Sequence, residues 1–136
     1  MENKKITAII DGTVLYCGMN EENGREEVTM AINEETAMYI NSIMNDYAIG
    51  GSWVPVKEKD GQLIFKASTK YGVKMYGADS EELPAFKLGD IGRGSYISVY
   101  VSFKENTYRG KSGVSAYLRA VKIEQLEERT AFNPFK

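Results

Sequence analysis

With 136 residues, 43% of them hydrophobic and 26% charged, the chain has room for one globular domain with a real core. It has no histidine and a single cysteine, Cys17, which excludes Ser-His-Asp and Cys-His catalysis, an internal disulfide and an ordinary structural zinc site. The net charge of −2 hides an asymmetry: residues 1–35 carry eight acids and three bases, whereas residues 93–123 carry six Lys/Arg and one acid, Glu105.

The chain opens with MENKKITAII, whose apolar run is too short for a signal-peptide core and is interrupted by Asp11 and Gly12. No apolar run approaches the roughly 20 residues that span a bilayer, so a cytoplasmic protein without a membrane segment is expected. Residues 5–19 alternate as a strand or as two strands, with Asp11-Gly12 marking a turn between them. A polar loop follows at 20–24, and Val28 to Ile32 is β-prone.

Asn33 is a good helix N-cap, and Glu34 and Glu35 place negative charge where the helix dipole favours it. Ile40, Ile43, Met44 and Tyr47 then recur at helical spacing, which predicts a helix over 34–47 that Gly50-Gly51 ends. Asp60-Gly61 is a hairpin signal. In the strand that follows, over 62–68, Leu63, Phe65 and Ala67 share one face and Ile64, Lys66 and Ser68 the other. A short strand over 73–76 puts Lys74 and Tyr76 on one side. Residues 79–94, with Pro84 and three glycines, read as loop.

Two strong strands come last. Over 95–104, Ile97, Val99, Val101 and Phe103 form a core face, opposite Tyr96, Tyr100 and Lys104. Over 114–123, Val114, Ala116 and Leu118 alternate with Ser115, Tyr117 and Arg119. The apolar phase then shifts to Val121 and Ile123, which predicts a bulge near Ala120. The link at 105–113 reads as a polar, basic hairpin loop carrying Tyr108, Arg109 and Lys111. Many strands, one helix and Gly-marked bends suggest a mainly β protein with an OB-fold-like Greek-key barrel over 1–126 and a tail over 127–136. The pattern alone also accommodates a β-sandwich.

Cations interleaved with aromatics on β-patterned sequence suit a groove for single-stranded nucleic acid. The cations hold phosphates and the rings offer stacking surface. Tyr96, Tyr100 and Lys104 would form one row, and Tyr117 with Arg119 a second beside it. Lys66, Lys70 and Lys74, with Tyr76 close by, form another candidate phosphate track in a stretch without acids, 62–76. Trp53, the only tryptophan, is a residue type more often found in a core than as a ligand platform, and counts only as a possible contact. The bland readings are that tyrosines cover a half-exposed sheet and that lysines protect a strand edge.

These residues also carry a family resemblance. KASTKYGVKMYG and DIGRGSYISVYVSFKENTYRGKSGVSAYLRAVKI resemble the phage-encoded single-stranded DNA-binding proteins of the OB-fold type. The match lies in a Lys-bearing strand, a Gly-Ser strand start, an aromatic and basic hairpin, and G-K-x-G-V-S-x-Y-L-x-A-V. It covers residues 62–126.

The resemblance implies a non-catalytic, cofactor-free protein that coats and protects single-stranded DNA during phage replication, recombination or repair. Its implied contacts are Lys66, Lys70, Lys74, Tyr76, Tyr96, Tyr100, Lys104, Tyr108, Arg109, Lys111, Tyr117 and Arg119. Replication or recombination proteins and a homodimer are further expected partners. The implied acidic, aromatic tail is present in part, as Glu124, Glu127, Glu128, Phe132 and Phe135, interrupted by Arg129 and followed by Lys136. A phage-encoded protein-interaction module, either a host-enzyme inhibitor or a virion component, would use the same tyrosine face.

Overall fold

The computed structural model describes residues 6–127. Its strands are β1 (Ile6–Asn20), β2 (Arg25–Ile32), β3 (Val56–Lys59), β4 (Gln62–Thr69), β5 (Lys74–Tyr76), β6 (Tyr96–Tyr108) and β7 (Lys111–Gln125). A helix, α1 (Glu34–Asp46), joins β2 to β3, and a single 3₁₀ turn (Leu88–Asp90) lies in the loop before β6. Of the expected tail, Glu127 is described, while Glu128, Arg129, Phe132, Phe135 and Lys136 lie outside the described residues. Among the described residues, no helix is long and apolar enough to cross a membrane.

Five strands close on themselves. β1 pairs with β2, β2 with β4, β4 with β7, β7 with β6, and β6 with β1. Every contact is antiparallel except β4 to β7, which is parallel and meets at Ser68 and Tyr117. The free edge of β4 is therefore shared: β3 takes its first half and β7 its second. β7 is shared likewise, between β4 at Tyr117 and β5 from Ala120 to Lys122.

Strand alternation fills the barrel. Ile10, Met30, Phe65, Ile97, Val99, Val101 and Leu118 point inward and are fully buried, each contributing about 1.5–3 kcal/mol of apolar burial. Phe65 on β4 meets Phe103 on β6 edge to face, with ring centroids 6.4 Å apart.

The structure corrects three sequence expectations. Asp11-Gly12 is not a turn, because β1 runs through it unbroken. Residues Ile6 to Thr13 pair with β6, and Thr13 to Asn20 pair with β2, so Thr13 belongs to both ladders. Gly12 stands at this corner because a Cβ there would lie 2.8 Å from the Ala31 carbonyl oxygen. The glycine permits close strand packing, and chain reversal is not its role.

The link at 105–113 is likewise not a loop. β6 and β7 stay paired out to Tyr108 and Lys111, and the turn is only Arg109-Gly110, both at positive φ (52° and 76°). That is the two-residue turn whose twist suits a tight hairpin. The predicted bulge near Ala120 is present. Tyr100 pairs with Ala120 and Val101 with Leu118, which leaves Arg119 as the extra residue.

The helix forms as its cap predicts. The Asn33 side chain accepts a hydrogen bond from the Thr36 amide at 2.8 Å, and Ala37, Ile40 and Met44 are buried. Tyr47 was expected on the apolar face but is the C-cap and is 46% exposed, because the helical register stops at Asp46. Asn33→Ala removes the cap acceptor and is expected to cost about 1 kcal/mol in urea unfolding.

Candidate nucleic-acid interface

A hollow of about 350 Å³ lies on the barrel's outer wall where β4 approaches β7. Lys57, Ile64, Lys66 and Ser68 line it from β3 and β4, Ser115 from β7, and Trp53 and Pro55 from the segment before β3. Lys66 is an outward residue of β4, and its ammonium lies 3.7 Å from a Glu27 carboxylate oxygen. Glu27 is only 8% exposed and also accepts from the Asn20 amide at 3.2 Å. Its charge is thus largely balanced inside the wall, and the lysine remains accessible.

Arg25 extends the cationic surface. Its Nε donates to Ser68 Oγ at 2.9 Å, and its guanidinium lies 5.7 Å from the centre of the Tyr117 ring. The Tyr117 hydroxyl accepts from the Asn106 amide at 2.7 Å, which fixes the ring's direction. The Arg119 Nε donates to Ser102 Oγ at 3.1 Å, so the bulge aims a cation across the strand pair. A guanidinium held through one nitrogen keeps its other N–H groups for an anion.

Beyond the hollow, β6 and β7 project as a ribbon. Lys104, Tyr108, Arg109 and Lys111 are all exposed on it, and the Arg109 guanidinium lies 5.3 Å from the Tyr108 ring centre. Pairing joins Lys104 to Ser115, Asn106 to Gly113 and Tyr108 to Lys111. Alternation therefore puts these residues on the same side as Tyr117 and the hollow. Glu105 falls on the other side and accepts from the Gly50 amide at 3.3 Å.

The remaining sequence candidates lie elsewhere. Tyr76 and Tyr100 line a second, smaller hollow of about 250 Å³, with Ile9, Ser98, Ala120 and Lys122. Lys74 is exposed next to it, paired with Ala120. This hollow has acidic neighbours. Ser98 Oγ lies 2.6 Å from Asp11 and 3.3 Å from Glu124, and Lys122 is bound to Glu124 at 3.3 Å. Tyr96 sits at the far end of β6, beside Thr13 and Gln125. Lys70 lies exposed in the turn after β4.

Of the two expected rows, Lys104 lies on the Tyr117 side of the ribbon beside Ser115, while Tyr100, paired with Ala120, lines the second hollow with Ile9 and Tyr76. Lys66 lines the first hollow and Lys74 stands beside the second, on strands that follow one another along the same edge of β7. Arg25 was not found by sequence reasoning. The acid excess of residues 1–35 concealed it, although its alternation with Glu27 and Thr29 placed all three on one outward face.

A closed five-stranded barrel in the order β1-β2-β4-β7-β6, with one parallel closure, defines an OB-fold. No protein-family model and no curated protein matches the chain. Solved structures do match. The single-stranded DNA-binding protein of bacteriophage Enc34, truncated at its C-terminus, superposes with a TM-score of 0.69 at 13% identity, over 91% of this chain and 88% of that one. Gp2.5, a single-stranded DNA-binding protein encoded by bacteriophage T7, gives 0.68 at 15% identity, over 97% and 92%. The Enc34 protein in complex with single-stranded DNA gives 0.65 at 14%, over 96% and 89%. The resemblance drawn from sequence motifs is thus met in the structure: the chain has the fold of these phage proteins.

Proposed function

We propose that this is a non-catalytic, largely sequence-independent single-stranded DNA-binding protein that coats exposed strands in phage replication, recombination or repair, in the cytoplasm of the infected cell. In this reading residues 1–126 are the binding domain and 127–136 a C-terminal tail. The observation that carries the proposal is the continuous surface of hollow and ribbon. On it Arg25, Lys66, Lys104, Arg109, Lys111 and Arg119 surround Tyr108 and Tyr117. Cations spaced along a groove neutralise phosphates without reading bases, and aromatic and guanidinium planes stack on any base. That one structural neighbour was solved with single-stranded DNA supports the choice of ligand.

The test is a salt titration with labelled oligo-dT and mixed-sequence single strands. Six engaged cations predict that log K falls with log salt at a slope of about −4, at roughly −0.7 per phosphate for single strands. Duplex DNA and single-stranded RNA serve as competitors. Failure of both single strands to bind at low salt would refute the proposal.

A further inference from the structure

We infer that Trp53 is a base-stacking platform and that Gly113 is the residue that positions it. This rests on the single-strand reading and adds a subsite to it. The space above Gly113 is taken up by the Trp53 ring. A Cβ built there would lie 2.0 Å from Trp53 Cδ2, 2.3 Å from Cε2 and 2.5 Å from Cγ. Cδ2 and Cε2 are the fusion carbons of the indole, surrounded in the ring plane by other ring atoms. A point that close to both can only lie over the flat of the ring. The bare backbone of Gly113 is therefore a floor under one face of the indole.

The segment bearing the tryptophan is fastened to that floor. The Ser52 amide donates to the Ser112 carbonyl at 2.6 Å, and the Val114 amide donates to the Trp53 carbonyl at 2.8 Å. Gly51 passes so close that a Cβ on it would lie 2.1 Å from the Ser112 oxygen. The Lys66 amide, in turn, donates to the Pro55 carbonyl at 3.0 Å, so the same segment is also tied to β4.

Trp53 stays half-buried despite these ties, and it lines the 350 Å³ hollow. The walls there are apolar (Val54, Pro55, Val114 and Ala116), and the cations Lys57 and Lys66 stand at the rim. A flat ring supported from behind, on the edge of an apolar slot flanked by cations, fits a nucleobase whose neighbouring phosphates reach the lysines. Stacking would tolerate any base. Because Gly113 is also a residue of the ribbon, platform and ribbon share one rigid base.

The sole tryptophan makes the test direct. Oligo-dT is titrated into the full chain while tryptophan emission is followed, and binding is measured in parallel by anisotropy of a labelled oligo-dT. Emission is expected to change with the same midpoint as anisotropy. Trp53→Phe should keep affinity within about threefold. Trp53→Ala should weaken it about tenfold, with the salt slope unchanged because no cation is lost. Gly113→Ala should lift the indole off its floor, shift the emission of the free protein and weaken binding about as much as Trp53→Ala. Combining the two substitutions should cost little more than either one alone. If Gly113→Ala does not fold, the wild-type titration and the two Trp53 variants decide. Binding seen by anisotropy with unchanged emission, or full affinity in a folded Trp53→Ala protein, overturns the inference and leaves the single-strand reading standing. Absence of any anisotropy change removes that reading itself.

Discussion

A protein carrying Lys104→Gln, Arg109→Gln and Lys111→Gln is expected to bind oligo-dT about a hundredfold more weakly at 0.1 M salt, with the salt slope reduced by about 2. Each cation that meets a phosphate of a single strand contributes roughly 0.7 to the slope, through the counterions it releases. Three such contacts give about 2. Since this term vanishes near 1 M salt, it amounts to about two decades of affinity at 0.1 M. The three side chains are suited to this role by position. All are exposed on the ribbon, and among the described residues none of them takes part in an ion pair. Replacing them should therefore leave thermal stability within about 0.5 kcal/mol of the parent, as for most surface positions. An unchanged slope with an intact fold would mean that the ribbon stays clear of the phosphates, leaving the strand to the wall formed by Arg25, Lys66 and Arg119.

The ribbon also illustrates what the sequence could and could not convey. Strand alternation in β6 and β7 was legible because one face is buried and the side-chain period is fixed, so Ile97, Val99, Val101 and Leu118 announced themselves. The bulge was legible for the same reason: the apolar phase slips between Leu118 and Val121. The reach of the ribbon was not legible. Beyond Phe103 the residues of β6 are exposed or half-exposed on both faces, the alternation fades, and paired strands read like a loop. Gly12 is ambiguous in the sequence, because a glycine at a strand corner and a glycine in a turn look identical until the neighbouring strand is known. Arg25 and Trp53 depend on contacts made across long stretches of chain, Arg25 with Ser68 and Trp53 with the backbone around Gly113. A helix cap such as Asn33, by contrast, works within four residues and is legible in the sequence.

The largest effect on stability is expected from Phe65→Ala, which should lower the unfolding free energy by about 3–5 kcal/mol and the thermal midpoint by about 10–20 °C. Phe65 is fully buried, and its strand neighbours are Met30 on β2 and Val56 on β3. Truncation leaves a cavity that this wall can fill only by moving strands. It also removes the edge-to-face contact with Phe103, a link between β4 and β6 through the barrel interior. Contacts of that kind add about 0.5–1.5 kcal/mol beyond their area. The link matters because the barrel is otherwise closed on that side by a single bridge, Ser68 to Tyr117. Loosening it would separate Arg25, on β2, from Tyr117, on β7. Affinity for oligo-dT should then fall as temperature approaches the lowered midpoint, whereas at 10 °C, where the variant is still folded, the salt slope should match the parent because every cation is retained. Thermal unfolding followed by circular dichroism, paired with salt titrations at 10 °C, checks both halves. Phe65 and Lys66 are adjacent in sequence on opposite faces of one strand, so this variant separates the core's contribution to the site from that of the surface.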